Sequence, residues 1–173
     1  GFTPLEGLVM GTRCGDVDPG ALEFLAKKEN LDFAQVLDIL NQESGVLGIS
    51  RNFSSDFREL KDAEIKYNDQ AALAREIFAY RVAKYVGSYA AAMNGVDNIV
   101  FTAGVGENDS DIRMEICSYL EYLGITIDEV KNRDEAEAFR ISDGMSRVNV
   151  LVIKTNEELE IAREAAEVAR MYH

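Results

Sequence analysis

With 173 residues, 47% of them hydrophobic and 28% charged, the chain has the size and composition of one well-cored soluble domain. A net charge of −13 argues against nucleic acid or an anionic membrane as the main partner, but screening over about 8 Å at physiological salt leaves a local phosphate site open. No apolar run approaches the roughly 18 residues of a membrane helix, no signal peptide is visible, and Cys14 and Cys117 fit neither a metal spacing nor a disulfide framework, which suits a reducing cytosol.

The chain opens at Gly1 without a Met, in the middle of what reads as a motif, so a piece of a longer protein is expected; the alternative is an expression scar before a natural start. Residues 1–18 are rich in Gly and turn formers. Asp18 followed by Pro19 supplies an N-cap acceptor and a first-turn proline, predicting a helix over 19–28. A second helix is expected at 33–43, with Phe33, Val36, Leu37 and Leu40 on one face. Residues 44–60 read as a structured loop. Asn68 or Asp69 then caps the longest helix, about 69–94, with a stripe of Leu73, Ile77, Val82, Val86, Ala90 and Met93 and a stop at Asn94-Gly95. The strand at 98–102 is apolar enough to predict burial on both faces. A Gly turn over 103–108, a helix over about 109–123, a strand at 125–127, a charged connection, a strand at 148–153 and a helix from Asn156 to about Met171 complete the order. Helices alternating with short apolar strands make an α/β protein.

Four segments carry possible chemistry. The strand–Gly turn–helix at 98–123 brings the backbone of Gly104 and Gly106 to a sheet edge and a helix N-terminus, a setting that suits phosphate. It is neither a Rossmann nor a Walker fingerprint, and such turns also occur for purely structural reasons. Arg13, among the small residues of Gly11-Thr12-Arg13-Cys14-Gly15, could grip a phosphoryl group with paired donors, or could be a surface arginine paired with Asp16 or Asp18. Glu157, opening the last helix with Glu158, could hold Mg²⁺, or simply suit the helix dipole. Asp56-Phe57-Arg58 could form a wall for adenine or ribose, or a loop anchored by Phe57. The single histidine is the last residue, His173, so histidine chemistry inside this chain is not expected.

The segments occur together in one order, and that order resembles the acetate kinase family. Met10-Gly11-Thr12-Arg13-Cys14-Gly15-Asp16-Val17-Asp18-Pro19 is similar to the family signature, with Cys14 where Ser is common. Phe101-Thr102-Ala103-Gly104-Val105-Gly106-Glu107-Asn108 resembles its nucleotide loop, with Val105 for a usual Ile. Ser54-Ser55-Asp56-Phe57-Arg58 and Thr155-Asn156-Glu157-Glu158-Leu159 resemble two further family segments, whereas Arg51-Asn52-Phe53 stands where smaller residues are usual. The likeness covers essentially the whole chain.

The resemblance implies an incomplete ribonuclease H-like domain of the actin and heat-shock ATPase type, with several helices on a short sheet. It implies that 1–173 is the C-terminal nucleotide-binding domain, its last helix (about 156–171) packing toward an N-terminal domain. The implied reaction is reversible phosphoryl transfer between ATP and acetate, giving acetyl phosphate and ADP with Mg²⁺. By position, Arg13 matches the catalytic arginine and Glu157 the Mg²⁺ ligand. Asp56, Phe57, Arg58, Gly104, Val105, Gly106, Glu107 and Asn108 match the adenosine-binding segments. The family's acetate pocket, active-site histidine and metal-side Asn lie upstream, so this chain alone is expected to be inactive. A cytoplasmic homodimer is expected, with neither nucleic acid nor membrane as partner. Propionate or butyrate kinase of the same superfamily, and a non-catalytic actin-like ATP-binding module, are the alternatives.

Overall fold

A computed structural model describes residues 1–134 and 138–171; His173 lies outside them. The chain divides into one unit of Gly1–Gly95 with Glu115–Leu120 and another of Val96–Met114 with Glu121–His173.

The first unit is helical. Helix α1 (Pro19–Glu29) starts as expected, the Asp18 carboxylate accepting the Gly20 amide with Pro19 in the first turn. Helix α2 (Phe33–Gln42) opens on a capping box between Asp32 and Gln35 and buries Val36 and Leu40, while Phe33 stays exposed. The expected loop at 44–60 is instead interrupted by helix α3 (Gly45–Ile49), and α4 (Phe57–Ile65) begins inside it. Helix α5 (Asp69–Ala92) is capped by Asn68, whose side chain accepts the amides of Gln70 and Ala71, and it stops at Asn94 (φ 59°) and Gly95 (φ 134°).

The stripe expected on α5 is met in part: Ala90 is buried and Ile77, Val82 and Val86 are half-buried. Leu73 and Met93 are exposed, and the buried positions are Ala71, Ala74, Arg75, Phe78, Ala79, Ala83 and Ala90. Alanines let α5 lie close against α3 and α4, and close packing here outweighs the area that larger side chains would bury. Arg75 is buried with its guanidinium paired, Nε lying 2.6 Å from Glu64 Oε2 and Nη1 donating to the Phe57 carbonyl at 3.5 Å.

The second unit holds a three-stranded sheet of order β1–β3–β2, formed by β1 (Asn98–Phe101), β2 (Ala138–Arg140) and β3 (Asn149–Ile153). Strands β1 and β3 are parallel, with Phe101 opposite Val152; β2 runs antiparallel to β3. Ile99, Phe101, Val150 and Val152 are buried, but Val100 is 46% and Ile153 41% exposed. The sheet is therefore covered on one face, not two, because among the described residues no helix buries the other. The strand expected at 125–127 is reduced to one bridge, Ile127 to Ser142: the Thr126 amide turns to the Ser146 hydroxyl instead of a ladder. The short β2 lies within the charged connection, where three residues gave no alternation to read.

The remaining elements, in chain order, are α6 (Ala103–Asn108), α7 (Ser110–Ser118), a 3₁₀ turn (Glu121–Leu123), α8 (Glu129–Asn132) and α9 (Glu157–Met171). Helix α9 has no buried residue. Among the described residues no helix is long and apolar enough to cross a membrane.

Candidate functional site

The turn carrying Arg13 is fixed through its backbone. Met10 N–H donates to the Arg13 carbonyl at 3.0 Å, and the carbonyls of Met10, Gly11 and Thr12 accept from Val46, Leu47 and Ser44 at 2.9, 3.0 and 3.0 Å. Amides at the start of a helix lack intrahelical partners, and here the turn supplies them. The arrangement requires glycine at 45: its φ is +63°, and a Cβ would sit 2.2 Å from the Met10 carbonyl oxygen.

The Arg13 side chain is exposed, and among the described residues no carboxylate pairs with it. Asp16 is engaged elsewhere. It accepts the Gly7 amide at 2.8 Å and the Tyr85 hydroxyl, and lies 3.7 Å from Arg81. The Tyr85 hydrogen bond foremost holds its carboxyl below the usual range. Asp18 is spent on the α1 cap. The surface-pair reading of Arg13 is therefore not the one the fold adopts. Cys14 next to it donates its thiol proton to the Gly15 carbonyl at 3.0 Å, and burial raises its pKa.

Asp56 caps α4 and grips Arg58 with both oxygens: Oδ1 accepts the Arg58 amide at 2.8 Å and Nε at 3.2 Å, and Oδ2 accepts Nη2 at 2.7 Å. The side-chain bond from Arg58 is the main reason its pKa falls to about 2. The half-buried Phe57 ring meets Phe78 edge-on at 4.5 Å. Nearby, Phe53, Glu59, Asp62, Ala63, Lys66 and Asn68 line a recess of about 500 Å³, within the range of small-molecule pockets.

The segment expected as a Gly turn is helix α6, and the expected helix over 109–123 breaks into α7 and the 3₁₀ turn. Ala103 enters α6 at φ +58°. Gly104 faces open space, so its backbone is approachable. Two side chains of the segment are spent on hydrogen bonds within the protein. Asn108 Nδ2 donates to the Gly104 carbonyl at 2.8 Å. Glu107 Oε1 accepts from Ala103 N–H at 2.6 Å, Thr155 N–H at 2.7 Å and the Thr155 hydroxyl at 3.0 Å. The Thr155 amide is the foremost cause of its lowered pKa.

Arg113, 2% exposed, holds the other end of α6. Its Nη1 donates to the carbonyls of Gly106 and Glu107 at 2.9 and 2.8 Å, and its Nε to Asn132 Oδ1 at 2.9 Å. Sequence reading missed it, although a charge set within the apolar run Ile112, Ile116 and Leu120 was a usable signal.

Glu157 opens α9 with an exposed side chain. Among the described residues no group of three His, Cys, Asp or Glu could hold a metal ion. Mg²⁺ does not need one, since it keeps several waters and commonly takes one or two carboxylates plus phosphate oxygens. A single exposed glutamate fits it as one such ligand.

A sequence model of the acetokinase family matches residues 1–163. The acetate kinase of Carboxydothermus hydrogenoformans is 57% identical over 168 residues, covering 97% of this chain and 42% of that protein. The crystal structure of Porphyromonas gingivalis acetate kinase superposes with a TM-score of 0.90 at 47% identity, over 98% of this chain and 42% of that one. A propionate kinase from Francisella tularensis gives 0.86 at 43% identity, over 95% of this chain and 41% of that one. The chain thus spans about 42% of the length of the curated relatives it matches.

Proposed function

The chain belongs to the acetokinase family, and on that premise we propose that the protein carrying it moves a phosphoryl group reversibly between ATP and acetate, with this chain on the nucleotide side as the C-terminal domain. The observation that carries the reading is Arg13: an exposed guanidinium on a turn pinned by backbone hydrogen bonds, with its neighbouring carboxylates already engaged. Phosphoryl transfer asks little covalent chemistry of a protein and much positioned positive charge. Arg13 supplies that charge to the oxygens of the transferring group, its planar fork suiting two of them at once.

The Asp56–Arg58 turn and Gly104–Asn108 bind the adenosine side. Within the latter, the approachable Gly104 backbone makes the contact, while Glu107 and Asn108 keep α6 in shape. Glu157 would be the protein ligand of Mg²⁺, which would supply positive charge to offset that of the phosphates. The acid-binding residues belong to the rest of the protein. The protein is cytoplasmic and works as a homodimer, and this chain in isolation turns over nothing.

The test is direct. The full-length protein is incubated with MgATP and acetate, and acyl phosphate is trapped with hydroxylamine. Hydroxamate formed in step with ADP is expected, falling as acetate is replaced by propionate and then butyrate. ADP without hydroxamate would instead mean an ATP-binding module that hydrolyses slowly, and a maximum at a longer acid would move the assignment to propionate or butyrate kinase.

A further inference from the structure

Strands β1 and β3 are parallel neighbours, with Phe101 opposite Val152, so both chains leave the sheet at the same edge. One enters α6 through Ala103; the other enters α9 through Thr155. Glu107 closes the gap between them, its single oxygen Oε1 accepting the amides of both residues and the Thr155 hydroxyl. Packing cannot orient α9, which buries no residue. The described attachment at its entrance is polar, and it is made by Glu107 two residues before Glu157.

We propose that Glu107 is a positioning residue: it does not touch nucleotide or metal but ties the start of α9 to α6, holding Glu157 at a fixed distance from the Gly104 backbone. The inference rests on the proposed role of Glu157 and refines that of Glu107. Its three partners are neutral donors, so the task needs an acceptor oxygen and not a charge. An amide can do it. A ligand to metal, by contrast, would lose its function on conversion to glutamine as surely as on conversion to alanine.

The experiment measures Mn²⁺ binding to the full-length protein in the presence of ADP by electron paramagnetic resonance, with no turnover involved. Removing a direct hydrogen-bond partner of a metal ligand typically costs about 10- to 100-fold in affinity, and Glu107, which bonds Thr155 two residues before Glu157, belongs at the low end of that range. Glu107→Ala is expected to weaken Mn²⁺ binding by about tenfold, whereas Glu107→Gln stays within about threefold of the parent. Glu107→Gln failing as badly as Glu107→Ala would overturn the proposal in favour of direct ligation, and an unchanged Glu107→Ala would overturn it outright. Should Glu107→Ala not fold, Thr155→Val replaces it. That change deletes one of the three donors, and an affinity loss of about threefold is expected; no loss would count against the link. Glu157→Ala is run alongside. If it leaves Mn²⁺ binding intact, the metal assignment falls on its own account, separately from the tie between the helices.

Discussion

A guanidinium accelerates phosphoryl transfer only by meeting negative charge that builds up as the bond to the leaving oxygen loosens. Such arginines are typically worth about 10³–10⁵ in rate, or roughly 4–7 kcal/mol of barrier. Arg13→Ala in the full-length protein should therefore lower kcat at least about a thousandfold while ATP affinity, measured by calorimetry, changes little. A defect confined to KM would remove the assigned role. For Glu157→Ala the Mg²⁺ concentration needed for half-maximal rate should rise, and an unaltered titration would speak against metal ligation. Asp56 gives a pH-dependent case. Its folded pKa of about 2 lies below the ordinary carboxylate value near 3.9, so its contribution to stability is complete above about pH 4 and is lost as pH falls toward 2. Asparagine keeps the N-cap but gives up the ion pair with Arg58. The stability advantage of the parent over Asp56→Asn should accordingly shrink between pH 4 and pH 2 in chemical denaturation; a constant difference would mean that the pair is energetically idle.

Among the elements, those with strong local signals were readable in advance. Asp18-Pro19 and Asn68 start helices because each side chain accepts a first-turn amide, and Asn94-Gly95 ends one because both tolerate positive φ. What could not be read depended on partners distant in sequence. The buried face of α5 is chosen by how closely α3 and α4 approach, so alanines outcompete Leu73 and Met93 for the interior. Helix α3 is five residues long and starts at Gly45, where no apolar period can develop; it exists because the 10–13 turn supplies carbonyls for its first amides. That dependence makes Gly45 the most exacting residue of the Arg13 segment. Alanine there would carry a left-handed backbone and a Cβ within 2.9 Å of three carbonyl oxygens, from Met10, Gly11 and Arg13. A cost of at least about 2 kcal/mol is expected, lowering Tm by several degrees. Because the strain falls on the turn itself, kcat should drop by more than a comparable loss of stability elsewhere would cause. Equal activity per folded molecule would show that the turn does not position Arg13.

For the molecule as a whole, the four motifs were legible because each is a local run of residues, whereas their support was not: Arg113, Asn132 and Thr155 reach their targets across folds of the chain. The same distinction applies to the surface. The apolar run Ile99-Val100-Phe101 suggested two covered faces, yet Val100 and Ile153 stand open, and α9 exposes Ile161, Val168 and Met171 at 67%, 54% and 78%. Apolar area left to water costs about 25 cal/mol per Å², and an open sheet face is a common route to association. The 173-residue chain prepared alone should therefore self-associate at micromolar concentration despite its charge of −13, and should yield no acyl phosphate from ATP and acetate. Light scattering on the parent and on a Val100→Thr/Ile153→Thr pair separates the causes. If the open sheet face drives association, the pair becomes smaller in solution, while added salt, which screens the like charges, enlarges the parent. If the pair and the parent scatter alike, association proceeds through another surface, and the exposed strand residues lose their role.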